Sequence, residues 1–254
     1  MGRKNGGRER EKSRGKVQSP GERGHLRFDL HIHSSCSDGR DGVEAILEAA
    51  IEKDLDGIAI TDHDTLEGTF QAEAVVRDKK IDLLVIPGVE VSTSDGHLLA
   101  LGMRELPPKG RSPEETIEFV HHRGGIAIVS HPYHLFRHAM FRIPPCDAVE
   151  VYNSKYIFGI ANWWAKKRAE SLGLPMVAGS DAHMAKTVGL GVTIVEAEGD
   201  RKKGCDVPAI LDAIRAGRVE IDGKKTSPSV FVGQMVRWVK RRLLRRPNDR
   251  TNGD

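Results

Sequence analysis

Cysteine is scarce, with three in 254 residues: Cys36, Cys146 and Cys205. Thiols so few and so scattered exclude a disulfide framework or a Cys-rich zinc module, and they favour a reducing compartment. Long apolar runs are missing too. No stretch approaches the roughly 18 consecutive apolar residues of a membrane span. The basic N-terminus MGRKNGGRER EKSRGKVQSP GERG has no apolar core of an export leader. Neither export nor membrane spanning is expected, and cytoplasm is the default location. No internal sequence repeat is present either.

What is there is a chain that is 39% hydrophobic, enough at this length for one large core in a single domain. Its net charge of +3 is unevenly spread. Residues 1–24 carry eight Lys/Arg against three Glu, and residues 237–254 carry seven against two Asp, so each tail contributes +5 and the remaining 212 residues hold −7. An acidic body that needs cations, between two basic tails, is the pattern. Residues 1–24, rich in Gly, Arg, Lys and Glu, cannot offset their ordering entropy and read as a disordered basic tail. One folded domain with a short C-terminal extension is expected over 25–229, and a basic amphipathic helix and tail over 230–254.

Short β-rich runs alternate with helical patterns. Strands are expected over 27–33, 57–61, 82–92, 97–103, 125–130, 148–153, 175–180 and 189–196. Helices are expected over 41–55, from Ser112 to about His122, over 157–172 and over 206–216. In the first of them Val43, Ile46, Leu47, Ala50 and Ile51 form one stripe. Ser112, Pro113 and Glu115 make a capping box with proline at the first helical position, and Gly124–Gly125 stop that helix. Trp163 and Trp164 read as packing residues of the third. Alternation at this density implies βαβ units with strands buried on both faces. A (β/α) barrel is favoured over an open doubly wound sheet, because ligand-type residues come from many separate strand ends.

Those residues carry the chemistry. His31 and His33 stand at i and i+2 on a strand, so both imidazoles face one side, with Leu30 and Ile32 expected on the other. The bland alternative is a pair of surface histidines on an edge strand. Asp38 follows in a polar turn and reads equally as a turn aspartate. His63 ends the second strand, and Asp62 beside it reads as an acceptor for the ring of a metal-bound histidine. Glu90 sits in the apolar run Val85–Val91, where an unpaired charge costs several kcal/mol and requires a cation, a metal or an Arg/Lys. His97 opens another run, or simply follows a turn at Asp95–Gly96. His131 closes Ile128–Val129–Ser130. Asp181 and His183 end Val177–Ala178–Gly179–Ser180, again at i and i+2. One cluster of this kind is weak evidence; five on successive strand ends make a strong joint signal.

In order, His31-Ile32-His33, Thr61-Asp62-His63, Gly88-Val89-Glu90, Ser130-His131-Pro132 and Ser180-Asp181-Ala182-His183 resemble the signature motifs of the PHP (polymerase and histidinol phosphatase) superfamily, most closely its stand-alone metal-dependent phosphoesterases. The resemblance covers roughly Phe28 to Glu196, with 205–229 similar to the region that often follows this domain. It implies a distorted seven-stranded (β/α) barrel and a trinuclear site. One ion would be held by His31, His33, Glu90 and Asp181; a second by Glu90, His97 and His131; a third by Asp38, His63 and His183. Imidazole mixed with carboxylate suits Mn²⁺, Fe²⁺ or Zn²⁺ better than Ca²⁺.

The implied function is hydrolysis of a phosphate ester of a nucleotide, an oligonucleotide end or a small phosphorylated metabolite by metal-activated hydroxide, with Glu90, Asp181 and His183 as catalytic residues. Arg137, His134 and Lys155, with His138 and Arg142, lie just beyond strand ends and are candidates for substrate binding, against a reading as solvated loop charges. Two alternatives stand: a catalytically silent, metal-stabilised nucleic-acid-binding module, and an amidohydrolase-type C–N hydrolase. The C-terminal stripe Val232, Met235, Val236, Val239 and Leu243, backed by Arg and Lys, reads first as a helix packed on the domain. Contact with nucleic acid or an acidic partner comes next, and a membrane surface last.

Overall fold

The structure is a computed structural model and describes residues 23–134, 138–155, 159–198 and 206–223. The expected disordered tail lies outside these residues except for Arg23 and Gly24, which already belong to the first strand. The expected basic helix over 230–254 lies outside them entirely.

Strand β1 (Arg23–Ile32) is followed by α1 (Val43–Glu52), β2 (Gly57–Ile60), α2 (Glu67–Lys79), β3 (Leu84–Val85), β4 (Gly88–Thr93), β5 (Gly96–Leu101) and α3 (Pro113–His122). Then come β6 (Ile126–Val129), β7 (Ala148–Asn153), α4 (Ile160–Leu172), β8 (Met176–Gly179), a 3-10 turn (Ala185–Thr187), β9 (Gly191–Glu198), α5 (Val207–Arg215) and β10 (Val219–Gly223). The α/β class holds, but the seven-stranded barrel is corrected. Among the described residues ten strands form two open five-stranded sheets, ordered β10-β9-β1-β2-β3 and β4-β5-β6-β7-β8.

Two residues explain much of the difference. Pro87 has no N–H for a ladder, so the strand expected over 82–92 breaks into β3 and β4, and the Pro87 carbonyl accepts from the Gly102 and Met103 amides (2.7 and 3.2 Å) instead. Gly96, at φ +131°, then lets β4 fold straight back on β5 through Ser94 and Asp95, with Thr93 opposite Gly96. A hairpin thus stands where barrel topology needs a strand–helix unit, and β9 pairs antiparallel with both β1 and β10. Parallel pairing is kept along β1-β2-β3 and β6-β7-β8. The two sheets are joined by isolated parallel bridges at Ile32–Ala182 and His63–Glu90, each beside or at a ligand-type residue.

Between the sheets lies a core of Leu26, Phe28, Leu30, Ile86, Leu99, Leu101, Ile126, Ile128, Val177 and Val195, closed by Ile210, Leu211 and Ile214 of α5. Ile32 belongs to a different cluster, with Ile46, Leu47 and Ile58 under α1. The register of β1 against β2 shifts between Asp29 and Ile32, so the interior-facing set changes there from even to odd numbers. Leu30 and Ile32 therefore do not share a face, as simple alternation had suggested; His31 and His33 follow Leu30 into the interior.

Helix starts follow their chemistry. The Ser112 hydroxyl accepts from the Glu115 amide (3.2 Å) while the Glu115 carboxylate accepts from the Ser112 amide (2.9 Å), as the capping box requires. The Asp206 carboxylate caps α5 through the Ala209 amide (3.0 Å). Helix α2 escaped the periodicity reading because it buries only Gly68, Thr69 and Ala72. Trp163 and Trp164 are not core residues: they are 54% and 55% exposed, and α4 buries the small side chains Ala165 and Ala169 instead.

Candidate metal centre

Glu90, in the middle of β4, is 1% exposed and faces five imidazoles. Its Oε1 lies 2.8 Å from His131 Nε2 and 3.3 Å from His97 Nδ1; its Oε2 lies 3.1 Å from His33 Nε2, 3.3 Å from His31 Nε2 and 3.4 Å from His63 Nδ1. The Ser130 hydroxyl also donates to Oε1 (3.0 Å). Next to this hub is a corner made by the segment after β8. Asp181 Oδ1 lies 3.5 Å from His33 Nε2 and 3.4 Å from His183 Nδ1, and His183 Nε2 lies 3.0 Å from Asp38 Oδ2. The structure thus brings His31, His33, Asp38, His63, Glu90, His97, His131, Asp181 and His183 into one cluster. Its hub is buried, while His63 and Asp38 expose 29% and 43% of their side chains and form the rim.

Among the described residues four sets of three are close enough to share an ion: His31–Glu90–His131, His31–His33–Asp181, His33–Asp38–His183 and His33–His63–Glu90. This differs from the partition that the resemblance implied, because His33 reaches both the hub and the corner. Buried His33 Nδ1, His97 Nδ1 and Asp38 Oδ1 make no hydrogen bond. Buried polar atoms without a hydrogen-bond partner are suited to a cation, so the donor set fits divalent metal. His131 (φ +32°) and Asp181 (φ +50°) hold backbone conformations unusual for non-glycine residues, each costing on the order of 1–3 kcal/mol that the surrounding fold must offset.

The supporting residues are the part that sequence reasoning placed least well. Asp62 accepts no bond from a histidine ring. It ties down the loop that carries Asp38, accepting from the Ser34 amide (2.7 Å), the Ser34 hydroxyl (2.6 Å) and the Ser37 hydroxyl (2.6 Å). Gly68 is needed beside it, since a Cβ there would collide with the Asp62 carboxylate. Glu150 went unnoticed: it bonds His31 Nδ1 (2.9 Å) and accepts from the His131 amide (2.8 Å) and from Asn153 Nδ2 (3.1 Å), while Asn153 also donates to Asp181 Oδ2 (3.1 Å). The signal was available, since Val149-Glu150-Val151 repeats the string Val89-Glu90-Val91.

Charge is finely divided inside the cluster. Burial disfavours a charged His31, yet Glu150, Glu90 and Asp181 outweigh it and hold its pKa well above the usual histidine value. Burial, reinforced by His183, pushes His33 well below that value, and burial with Lys155 lowers His183, leaving both neutral as ligands must be. Burial opposes ionisation of Glu90, but His31, His63, His97 and His131 together hold its carboxyl well below the ordinary range.

The expected substrate contacts fare differently. Lys155 sits inside the cluster rather than at its mouth, with Nζ 2.8 Å from Asp181 Oδ1. His134 is partly buried three residues past His131, and Arg137 lies outside the described residues. Arg142 is committed elsewhere, bonded to Glu114 (2.5 and 3.1 Å) and to Asp95 (2.9 Å). His138 is exposed and stands edge-on to His97, with ring centroids 5.2 Å apart.

Residues 29–141 match the family profile "PHP domain" and residues 159–219 match "PHP-associated". An uncharacterized protein of Methanocaldococcus jannaschii, MJ1587, is 37% identical over 152 residues, covering 54% of this chain and 87% of its own. The phosphoribosyl 1,2-cyclic phosphate 1,2-diphosphodiesterase of Eggerthella lenta is 37% identical over 86 residues, 32% of either chain, so two thirds of that enzyme has no counterpart in the match. In fold, a two-domain protein from Bacteroides vulgatus containing a predicted PHP-like metal-dependent phosphoesterase superposes with a TM-score of 0.66 at 19% identity, over 84% of this chain and 69% of the other. With two family profiles in series over the stretch that builds the cluster, and a relative matched over most of its length, the chain belongs to the PHP family.

Proposed function

We propose that the cluster holds two or three divalent ions, of Mn, Fe or Zn, and hydrolyses a phosphate ester of a nucleotide, an oligonucleotide end or a small phosphorylated metabolite. The observation that carries this reading is Glu90: a buried carboxylate facing five imidazoles, with Asp181 and Asp38 completing the cage. Bound divalent ions supply Lewis acidity, which offsets phosphate charge and lowers the pKa of water.

The chain's own residues do the rest. Glu90 would hold ions from the centre of the hub, with one oxygen facing His131 and His97 and the other facing His31, His33 and His63. Asp181 links the hub to the corner through His33 and His183. The exposed rim of Asp38 and His63 is where an anionic ester can enter. His183, kept neutral by burial and by Lys155, can offer a ring lone pair to an ion beside Asp38. The name of the Eggerthella relative, a phosphoribosyl 1,2-cyclic phosphate 1,2-diphosphodiesterase, is a reason to include a phosphorylated ribose among the esters tested.

Purified protein supplied with Mn²⁺ is expected to release phosphate from nucleoside monophosphates, 3′,5′-bisphosphates or short RNA, and Asp181→Asn is expected to lose that release together with bound metal. Absence of metal-dependent release from every substrate, in protein shown to contain metal, would overturn the reading.

A further inference from the structure

Lys155 is the one lysine among the described residues that is buried, and it is buried in the cage. Its backbone is pinned: the Lys155 amide donates to Asn153 Oδ1 (3.1 Å), and the neighbouring Ser154 hydroxyl donates to the Ser180 carbonyl (2.6 Å) at the end of β8. The side chain, 9% exposed, runs inward. Its Nζ stands 2.8 Å from Asp181 Oδ1, 2.8 Å from His183 Nδ1 and 3.1 Å from His183 Nε2. Of these donors His183 belongs to the outer set with His33 and Asp38, the corner nearest solvent, and Asp181 to the adjoining set with His31 and His33.

An ammonium has three protons to give and no lone pair, so its hydrogen bond to Asp181 Oδ1 and a metal's coordination draw on the same electron pairs, and its place beside both ring nitrogens of His183 crowds an ion bound to either. A divalent ion at ordinary bond length from those atoms would also lie in near contact with Nζ, with like charges opposed in a buried site. We infer that Lys155 is a tethered cation for this corner: its ammonium and the corner ion exclude one another, so Lys155 sets how tightly the corner binds metal, while the ions gathered by Glu90 are indifferent to it. The cage thereby stays neutralised when the corner is empty, and its metal content becomes graded, with the hub filling before the corner.

This inference rests on the reading of the cluster as a metal centre, and one titration separates the two. Full-length protein is stripped with chelator and titrated with Mn²⁺ by calorimetry, with retained metal counted after gel filtration, for wild type, Lys155→Met, Lys155→Gln and, to mark the corner, Asp38→Asn. The expected result is that the weakest class of site in wild type, the class lost in Asp38→Asn, binds at least tenfold tighter in Lys155→Met and Lys155→Gln, with the hub class unchanged. Metal-free Lys155→Met is also expected to melt below wild type, and Mn²⁺ to remove the difference. Equal or weaker corner affinity in both lysine variants overturns the inference and leaves the metal centre standing. No Mn²⁺ bound by wild type overturns the metal centre itself.

Discussion

The two ends of the same interior are built from the same strands to opposite purposes. At one end Leu26, Phe28 and Leu30 of β1, Ile126 and Ile128 of β6 and Val177 of β8 meet Ile210, Leu211 and Ile214 of α5 in a sealed apolar plug. At the other, the continuation of β1, β6 and β8 supplies His31, His33, His131, Asp181 and His183. The change takes one residue on β1, from Leu30 to His31. Burial is as complete at the polar end, with His31, Asp181 and Glu150 fully buried, so what differs is chemistry rather than solvent access. The plug supplies hydrophobic stability; the cage holds charges that are tolerable together only when a cation balances them.

The sharpest way to break this contrast is to damage each end separately. Glu90→Gln keeps shape and removes the central charge, so metal-dependent phosphate release should fall roughly a thousandfold, as loss of one partner of a buried charge network predicts, and metal content should fall with it. Ile210→Ala, in the plug, should cost about 2–5 kcal/mol and lower the melting temperature by roughly 5–15 °C, with metal stoichiometry unchanged. Loss of metal in Ile210→Ala, measured on folded protein, would show that the ends are not independent.

How far each end was legible follows from the same contrast. The plug's strands were readable because β2 and β6 are short runs buried throughout, and the cage's ligands were readable because polar types interrupt those runs at their ends. The sequence could not say which way the chain turned. Pro87 and Gly96 convert an expected barrel segment into a hairpin, β10 is a polar edge strand, and α2 hides only small residues, so neither periodicity nor composition marks them. Glu150 and Lys155 were missed or misplaced for a related reason. A register shift in β7 between Glu150 and Tyr152, and a turn after Asn153, decide that they point into the cage.

Glu150 offers the next test. It bonds the outer nitrogen of His31 and the His131 amide, so Glu150→Gln should weaken metal binding by about 10- to 100-fold while leaving the plug, and hence most of the melting temperature of the metal-free protein, unaffected. Where the two ends meet stands Asp29, fully buried and accepting from the Ser180 (3.0 Å), Gly189 (2.8 Å) and His31 (3.4 Å) amides. Burial outweighs those bonds and pushes its carboxyl up to about 6 from 3.8. The folded state therefore binds this proton more tightly than the unfolded chain. Its stabilising contribution is full below pH about 4, is withdrawn as pH rises to about 6, and amounts to roughly 3 kcal/mol. Urea unfolding of metal-free protein between pH 4 and 6.5 should show a downward slope in wild type that is flatter in Asp29→Asn; equal slopes would remove Asp29 as the titrating group.

The smallest effect concerns the two described cysteines, which mark loops of different kinds. Cys146 is buried in the cluster of Val129 and Val149, its Sγ donating to the Ala148 carbonyl (3.2 Å), and burial pushes the thiol up to about 11. Cys36 is partly exposed in the loop that Asp62 anchors and that carries Asp38 two residues on. In a Cys205→Ser background, iodoacetamide at pH 8 should alkylate Cys36 well before Cys146, since only a thiolate reacts and the buried thiol supplies roughly one part in a thousand. Mn²⁺ should slow Cys36 by a fewfold, because an ion on Asp38 fixes the loop, and leave Cys146 as it was. Protection that vanishes in Asp38→Asn would tie the loop to the cage; protection that persists there would mean the ion acts on Cys36 by some route other than Asp38.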